Sequence, residues 1–437
     1  MKYTKKQQKQ IRLFRNWSVV ITSFLLVIGM IMGALFFIRP TESIVEKRKL
    51  TAFPAFHLST FLDGSYFSDV SKWYSDTFPG RDRWIAMSQD LKKSYGIESN
   101  TRMVGGNAQK DTIPSNGTTS NSTSKTAKAP KTKDMQAEVQ NQIMEGLYVK
   151  DGAAYSVYYF DQSAANTYTK AMNRAAKELK GTTSVYSVLV PNNSGAMLDD
   201  KTLNSLGGSD QQEGIDYYAD QYSKNVHMVN ILPTLRKHND QYLYFRTDHH
   251  WTSLGAYYAY KDFCKEKGIT AHKLSYFKKS YKFSPFLGTF YDKLKDSAME
   301  KNPDYVKAYV PNGTNDLTYW DESGQAHDWR VIEDVSSWNE GSGYYCFIGG
   351  DKPLTKIENP KIKDGSSCVV VKESYGNCFV PYLVDHYQTV YIMDFRYTKE
   401  KIVSFCKKNK IQDLIMINNI TIIASKDVAS KIDSELH

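Results

Sequence analysis

Six consecutive residues, Thr247-Asp248-His249-His250-Trp251-Thr252, carry the side-chain types that acid–base chemistry needs. The 437-residue chain has nine histidines, and two of them stand side by side here behind an aspartate. In an extended segment, side chains two positions apart share a face. Asp248 and His250 would then project together, the carboxylate fixing the imidazole tautomer, with His249 turned the other way. A carboxylate-oriented imidazole is a general base that still needs a nucleophile. The competing reading is structural: Asp248 caps the following helix and the histidines are satisfied core groups.

Ser374 is the strongest candidate nucleophile. The apolar run Ser367–Val371 reads as a buried strand that leads directly into Glu373-Ser374-Tyr375-Gly376-Asn377. A serine on such a turn presents its hydroxyl at the edge of a sheet. The backbone N–H groups of Tyr375 and Gly376 would then face a developing oxyanion. Serine reacts only with an adjacent base. His250, oriented by Asp248, is that base in this reading.

These residues need a scaffold, and the pattern supplies one. Strand-like runs recur at Ser184–Val190, Val226–Ile231, Tyr242–Phe245, Ser367–Val371, Val390–Met393 and Leu414–Ile417. Helical patterns fall between several of them, as at Ala164–Leu179 and Ser253–Lys267. Alternating strands and helices predict an α/β fold with helices on both faces of a sheet. Strands that are apolar throughout predict that it is mostly parallel. Thr252 or Ser253 serves as N-cap, which puts the Asp-His pair at the end of a strand–loop–helix unit, where open α/β sheets keep their sites. Residues 277–343, rich in Lys, Asp, Tyr and Gly, read as an irregular insertion.

The N-terminal third is organised differently. Lys2, Lys5, Lys6, Lys9, Arg12 and Arg15 supply six of the nine net positive charges, so the basic balance belongs to a tail and nucleic acid is excluded as a partner. Residues 17–38 follow without a charge and, as a helix, would span a bilayer. Their bulky exit, Leu35-Phe36-Phe37-Ile38-Arg39-Pro40, argues for an uncleaved signal anchor. The positive-inside rule keeps 1–16 in the cytoplasm and puts the rest outside a single-pass cell-membrane protein. Residues 39–98, dense in aromatics, Arg and Asp, read as a membrane-proximal stem. Residues 99–145 lack aromatics and read as a flexible linker or insertion, and 146–437 as the main extracellular domain. The five cysteines are odd in number and without metal-knuckle spacing, and read as mostly unpaired core residues.

The motif Thr247–Thr252, followed by Gly255-Ala256-Tyr257, resembles the signature of the DHHW family. That family is similar to the SGNH-like O-acetyltransferases of bacterial exopolysaccharides, the alginate enzymes among them. Glu373-Ser374-Tyr375-Gly376-Asn377 resembles the family's Asp-Ser-Tyr-(Ala/Gly)-Asn segment, with Glu in the usual Asp position. The stem, Gly349-Gly350-Asp351 and Asp394-Phe395-Arg396-Tyr397 add weaker matches. The resemblance implies an SGNH-like, flavodoxin-like fold with permuted motif order and a triad of Ser374, His250 and Asp248. It also implies an extracellular O-acyltransferase that passes acetyl groups to a polysaccharide, with the acyl donor handed over by a membrane-bound O-acyltransferase. Arg396 either binds a polar substrate group or pairs with a core acid. Asn377 either lends an amide to the oxyanion or only shapes the turn. Tyr375 and His249 are candidate pocket-lining groups. Two other readings keep the same residues: a carbohydrate esterase using water as acceptor, and a non-catalytic glycan-binding protein. Asp-His-His also occurs in two-metal phosphoesterases, but these need a series of preceding aspartates. Residues 148–246 have only Asp199-Asp200 and scattered acids, so no metal or other cofactor is expected.

Overall fold

The computed structural model describes residues 16–30, 39–43, 48–62, 64–81, 83, 84, 87, 101–106, 108, 110–114 and 135–437. They fall into two compact units, Met1–Glu98 and Ser99–His437.

In the first unit, residues 16–30 are helical and their apolar side chains, such as Phe24 and Leu25, are exposed. Among the described residues no helix is long and apolar enough to cross a membrane. Residues 31–38 of the expected span and the basic tail to residue 15 lie outside the described residues. The stem is held by short-range contacts. The Arg39 guanidinium lies 4.4 Å from the Trp73 ring centroid, and Thr51 N–H and Oγ1–H both reach the Asp76 carboxylate at 2.8 Å.

The second unit is built on an eight-stranded sheet. Its strands are β1 (Ser184–Val190), β2 (Val226–Asn230), β3 (Asp316–Trp320), β4 (Ala326–Arg330), β5 (Leu354–Glu358), β6 (Ser367–Lys372), β7 (Thr389–Asp394) and β8 (Asp413–Asn419). Their order is β4-β3-β5-β7-β6-β8-β1-β2. From β7 to β2 the strands run parallel, and β5, β3 and β4 extend the β7 edge in antiparallel fashion. All residues of the central strands β6 and β8 are buried, which is why their sequences are apolar rather than alternating. Helices cover both faces. In β1 the Tyr186 ring meets Phe263 of the helix Ser253–Lys267 at 5.2 Å. Its neighbour Ser187 points to the other face and bonds the Tyr222 hydroxyl at 2.8 Å, at the end of the helix Gln211–Gln221. All five cysteines are buried and unpaired.

Three expectations change. Tyr242–Phe245 is not a strand of the sheet; it makes one isolated bridge, Tyr244 to Trp251, its Phe245 N–H and Leu243 carbonyl bonding back to His250 and Thr252 across the bend. The segment 99–145 is folded at both ends. Thr101–Gly105 pairs with Gly146–Lys150, and the helix Met135–Met144 buries Val139, Ile143 and Met144. Aliphatic residues do there what aromatics do elsewhere. Residues 115–134, the centre of the expected linker, lie outside the described residues. Finally, 277–343 is ordered: it forms the antiparallel pair Lys279–Phe286 and Asp304–Val310, supplies β3 and β4, and reaches the site.

Candidate active site

β6 ends at Lys372, and the chain turns at once into a 3-10 turn, Ser374–Cys378. This places Ser374 at the carboxyl end of a central parallel strand. The turn is tight: a Cβ on Gly376 would lie 2.5 Å from the Lys372 Cβ, so only glycine fits. Ser374 is partly exposed while its neighbours on the turn are buried. Its Oγ lies 2.7 Å from His250 Nε2, and His250 Nδ1 lies 2.6 Å from Asp248 Oδ1. The three residues therefore form one continuous hydrogen-bonded line. The His250 ring is fixed from one side by Tyr344, whose ring stacks on it at 4.0 Å and 11°. The Tyr344 hydroxyl donates to the Ser374 carbonyl at 3.0 Å.

The segment carrying Asp248 is bent, not extended. The His250 N–H folds back onto Asp248 Oδ1 at 2.9 Å, so the pair forms within a turn rather than along one face of a strand. For the same reason His249 is not turned away. Its ring lies 3.7 Å from that of His250, and its Nδ1 is 2.6 Å from Thr289 Oγ1. Thr289 also gives its N–H and its hydroxyl to Asp248 Oδ2, at 2.9 and 3.1 Å. The backbone comes so close here that a Cβ on Gly288 would lie 2.3 Å from Asp248 Oδ2. Asp304 holds the bend from behind, accepting the N–H groups of Arg246 and Thr247 at 2.9 and 2.7 Å. Thr252 caps the helix Ser253–Lys267, so Asp248 does not cap the helix that follows it in the chain.

Electrostatics follow from this packing. Burial pushes the Asp248 carboxyl up, but His250, His249 and the Thr289 N–H outweigh it and hold the group well below the usual carboxylate range. Burial, with His250 beside it, pulls His249 down to about 3, so this imidazole is neutral. Burial raises the Glu373 carboxyl to about 7, against the pull of the Tyr375 and Asn419 N–H groups.

Glu373 alters the expected oxyanion site. The Tyr375 N–H donates to its carboxylate at 2.8 Å, and the Gly376 N–H donates to its carbonyl at 2.9 Å. Neither donor is available to a substrate, because the 3-10 turn consumes its own N–H groups. The second Glu373 oxygen accepts from Asn419 N–H at 2.8 Å, tying the end of β8 to the Ser374 turn. The Tyr375 hydroxyl donates to the His249 carbonyl and its carbonyl accepts from Trp251 Nε1 at 2.8 Å. It joins the two motifs as a buried strut. Arg396 is also committed: it pairs with Asp394 at 2.6 Å and Asp351 at 2.8 Å. Lys372 pairs with the same two acids, at 3.1 and 2.7 Å, and Asn377 Nδ2 donates to Asp351 at 3.0 Å. Arg396 makes the core ion pairs that its residue type allowed, and Asn377 gives an amide N–H to the same cluster.

Asp248, His249 and His250 offer donor atoms within 4.8 Å of one another, a cluster of metal-binding size. The donor set does not fit an ion: both Asp248 oxygens are filled by N–H and O–H groups, and His250 Nε2 lies on Ser374. What the residues form is a hydrogen-bonded line from carboxylate to imidazole to hydroxyl. Sequence reasoning missed Thr289, Gly288, Tyr344 and Asp304. The only local signal was Gly288-Thr289 opening a short helix, Thr289–Leu294.

The profile of the DHHW protein family matches residues 46–126 and 125–393. No curated protein matches the chain. Among solved structures, a DHHW family protein from Eubacterium siraeum DSM 15702 is 26% identical, with a TM-score of 0.58, over 65% of this chain and 94% of its own. Bacillus cereus PatB1, solved with a sulfonyl adduct, is 18% identical, with a TM-score of 0.55, over 64% of this chain and 97% of its own. That is a likeness of fold. The O-acetyltransferase domain of Pseudomonas putida AlgJ aligns over 63% of this chain and 91% of its own with 11% identity and a TM-score of 0.36, too distant a match to fix even the fold.

Proposed function

The chain belongs to the DHHW family, and on that premise we propose that it is an SGNH-like O-acyltransferase working through a Ser374 acyl-enzyme. The acyl group is acetyl and the acceptor a cell-surface or secreted polysaccharide. The observation that carries this reading is the unbroken line from Asp248 through His250 to Ser374, at 2.6 and 2.7 Å. His250 Nε2 takes the Ser374 proton as Oγ attacks the acyl carbonyl, and Asp248 stabilises the imidazolium. The donor's leaving group departs with that proton. In the second half an acceptor hydroxyl gives its proton to His250 and attacks the acyl-serine, which leaves as Ser374 Oγ–H. With the Tyr375 and Gly376 N–H groups occupied, the oxyanion needs other donors. Asn418 and Asn419 each hold a buried Nδ2 without a partner among the described residues, and Asn419 is tied to the nucleophile turn through Glu373.

In this reading residues 17–38 anchor the chain in the cell membrane, with the tail cytoplasmic and the catalytic unit outside. A membrane-bound O-acyltransferase supplies the acyl donor. The same triad would serve an esterase, so the test offers both acceptors. The full chain is given an activated acetyl ester with and without an oligosaccharide, and the sugar is analysed by mass spectrometry. Acetylated sugar is expected, and none with Ser374→Ala. Acetate release with the sugar never modified would make the protein an esterase. Unchanged activity in Ser374→Ala would remove the nucleophile.

A further inference from the structure

The hydrogen bonds around Asp248 fix a tautomer that the triad itself does not require. Thr289 Oγ1 lies 3.1 Å from Asp248 Oδ2 and 2.6 Å from His249 Nδ1. A hydroxyl has one proton, and an ionised carboxylate only accepts. With its hydroxyl proton directed at Asp248, Thr289 accepts from His249, which puts the His249 proton on Nδ1. His249 Nε2 is left as a bare lone pair. The residue is 4% exposed, and among the described residues no group donates to Nε2. An acceptor that no protein group satisfies is open to a hydrogen-bond donor from a ligand.

The place of this atom narrows what the ligand is. The His249 and His250 rings are 3.7 Å apart with a tilt of 37°. Both Nδ1 atoms are turned to the same Asp248 oxygen, at 3.9 and 2.6 Å. The vacant Nε2 therefore lies in ring contact with the base that would deprotonate an acceptor. With both Nδ1 atoms turned to one oxygen, the two rings offer their Nε2 acceptors side by side, the pattern that two neighbouring hydroxyls of a sugar ring would fill.

We propose that His249 orients the acyl acceptor: its Nε2 accepts a hydrogen bond from the hydroxyl adjacent to the one that His250 deprotonates, selecting vicinal diols. This rests on the acyltransferase reading. His249 gains and loses no proton in the step. The reacting hydroxyl's proton goes to His250, its oxygen bonds the acyl carbon, and Ser374 Oγ leaves with the proton returned by His250.

The test uses the full chain, an activated acetyl ester, and two acceptors: a methyl glycoside with a vicinal diol, and its monodeoxy counterpart lacking one hydroxyl of the pair. In wild type the ratio of transfer to hydrolysis should favour the diol by about ten-fold, the order expected for one well-placed hydrogen bond. His249→Phe keeps the ring and removes the acceptor, and should bring that preference to about unity. Thr289→Val frees the tautomer and should reduce it part-way. Nitrogen-15 NMR of wild type reads the tautomer without any variant: Nδ1–H is expected, and Nε2–H would overturn the proposal. So would a diol preference that survives in His249→Phe. Wild type acetylating neither sugar would instead overturn the acyltransferase reading, and this proposal with it.

Discussion

Two clusters of charged and polar side chains lie side by side at the carboxyl ends of the parallel strands, and they end in opposite ways. The quartet of Lys372, Arg396, Asp351 and Asp394 contains two cations and two anions, each paired within 3.1 Å. Its charges cancel inside the protein. The Asp248–His250–Ser374 line also begins at a buried carboxylate, but it terminates at a partly exposed hydroxyl, beside an imidazole nitrogen with no donor among the described residues. A charge near a site is not chemistry at the site. What separates the two clusters is whether the chain of bonds closes or leaves an end for something else.

That contrast can be broken in stages. The largest effect is expected from Ser374→Ala, which removes the open end and should cut acyl transfer roughly 10⁵-fold or more with the fold unchanged. Steady-state transfer rates and a thermal melt check both halves. Asp248→Asn keeps the shape but withdraws the charge that orients His250, and a fall of about 10⁴-fold is expected. A loss under ten-fold would mean that Asp248 serves only the fold.

On the other side, Asp394→Asn leaves two buried cations facing one acid. It should destabilise the domain by about 3–5 kcal/mol, read by chemical denaturation. A neutral outcome would show that the quartet is not the closed structural unit described. The smallest effect concerns pH. The folded Glu373 carboxyl titrates near 7 and its ordinary value is 4.5. The folded state thus holds a proton that the unfolded chain has released. Its contribution to stability is full below about 4.5 and is lost as pH rises through about 7. Asp248 has the opposite sign, its contribution being present above the ordinary 3.8 and lost as pH falls below it. Glu373→Gln should therefore lose less Tm than wild type between about pH 5 and 8. Parallel Tm curves would contradict the shift.

Much of this was legible in the sequence, for identifiable reasons. Central strands such as β6 and β8 announce themselves because burial on both faces demands unbroken apolar runs. Ser374 was legible because it stands where such a run stops. His250 was chosen over His249 by an i to i+2 argument whose premise, an extended segment, does not hold, since the pair forms in a turn. Thr289, Tyr344 and Asp304 were not legible: they come from 40 to 94 residues away in the chain, from segments whose composition carries no period. Arg396 and Asn377 could be read two ways because residue type does not say whether a charge meets its partner inside the protein. The Tyr375 and Gly376 N–H groups were misread because the consuming bonds, within one 3-10 turn, depend on the Glu373 side chain folding forward.

In the proposed reaction the acyl donor acylates Ser374 while His250 takes the hydroxyl proton. The most direct measurement is to mix the full chain with an activated acetyl ester, quench, and locate the acetyl group by peptide mass spectrometry. The acetyl is expected on Ser374, absent in Ser374→Ala and strongly reduced in His250→Ala. Acetylation of other residues alone, or labelling of Ser374 that proceeds equally well in His250→Ala, would contradict it.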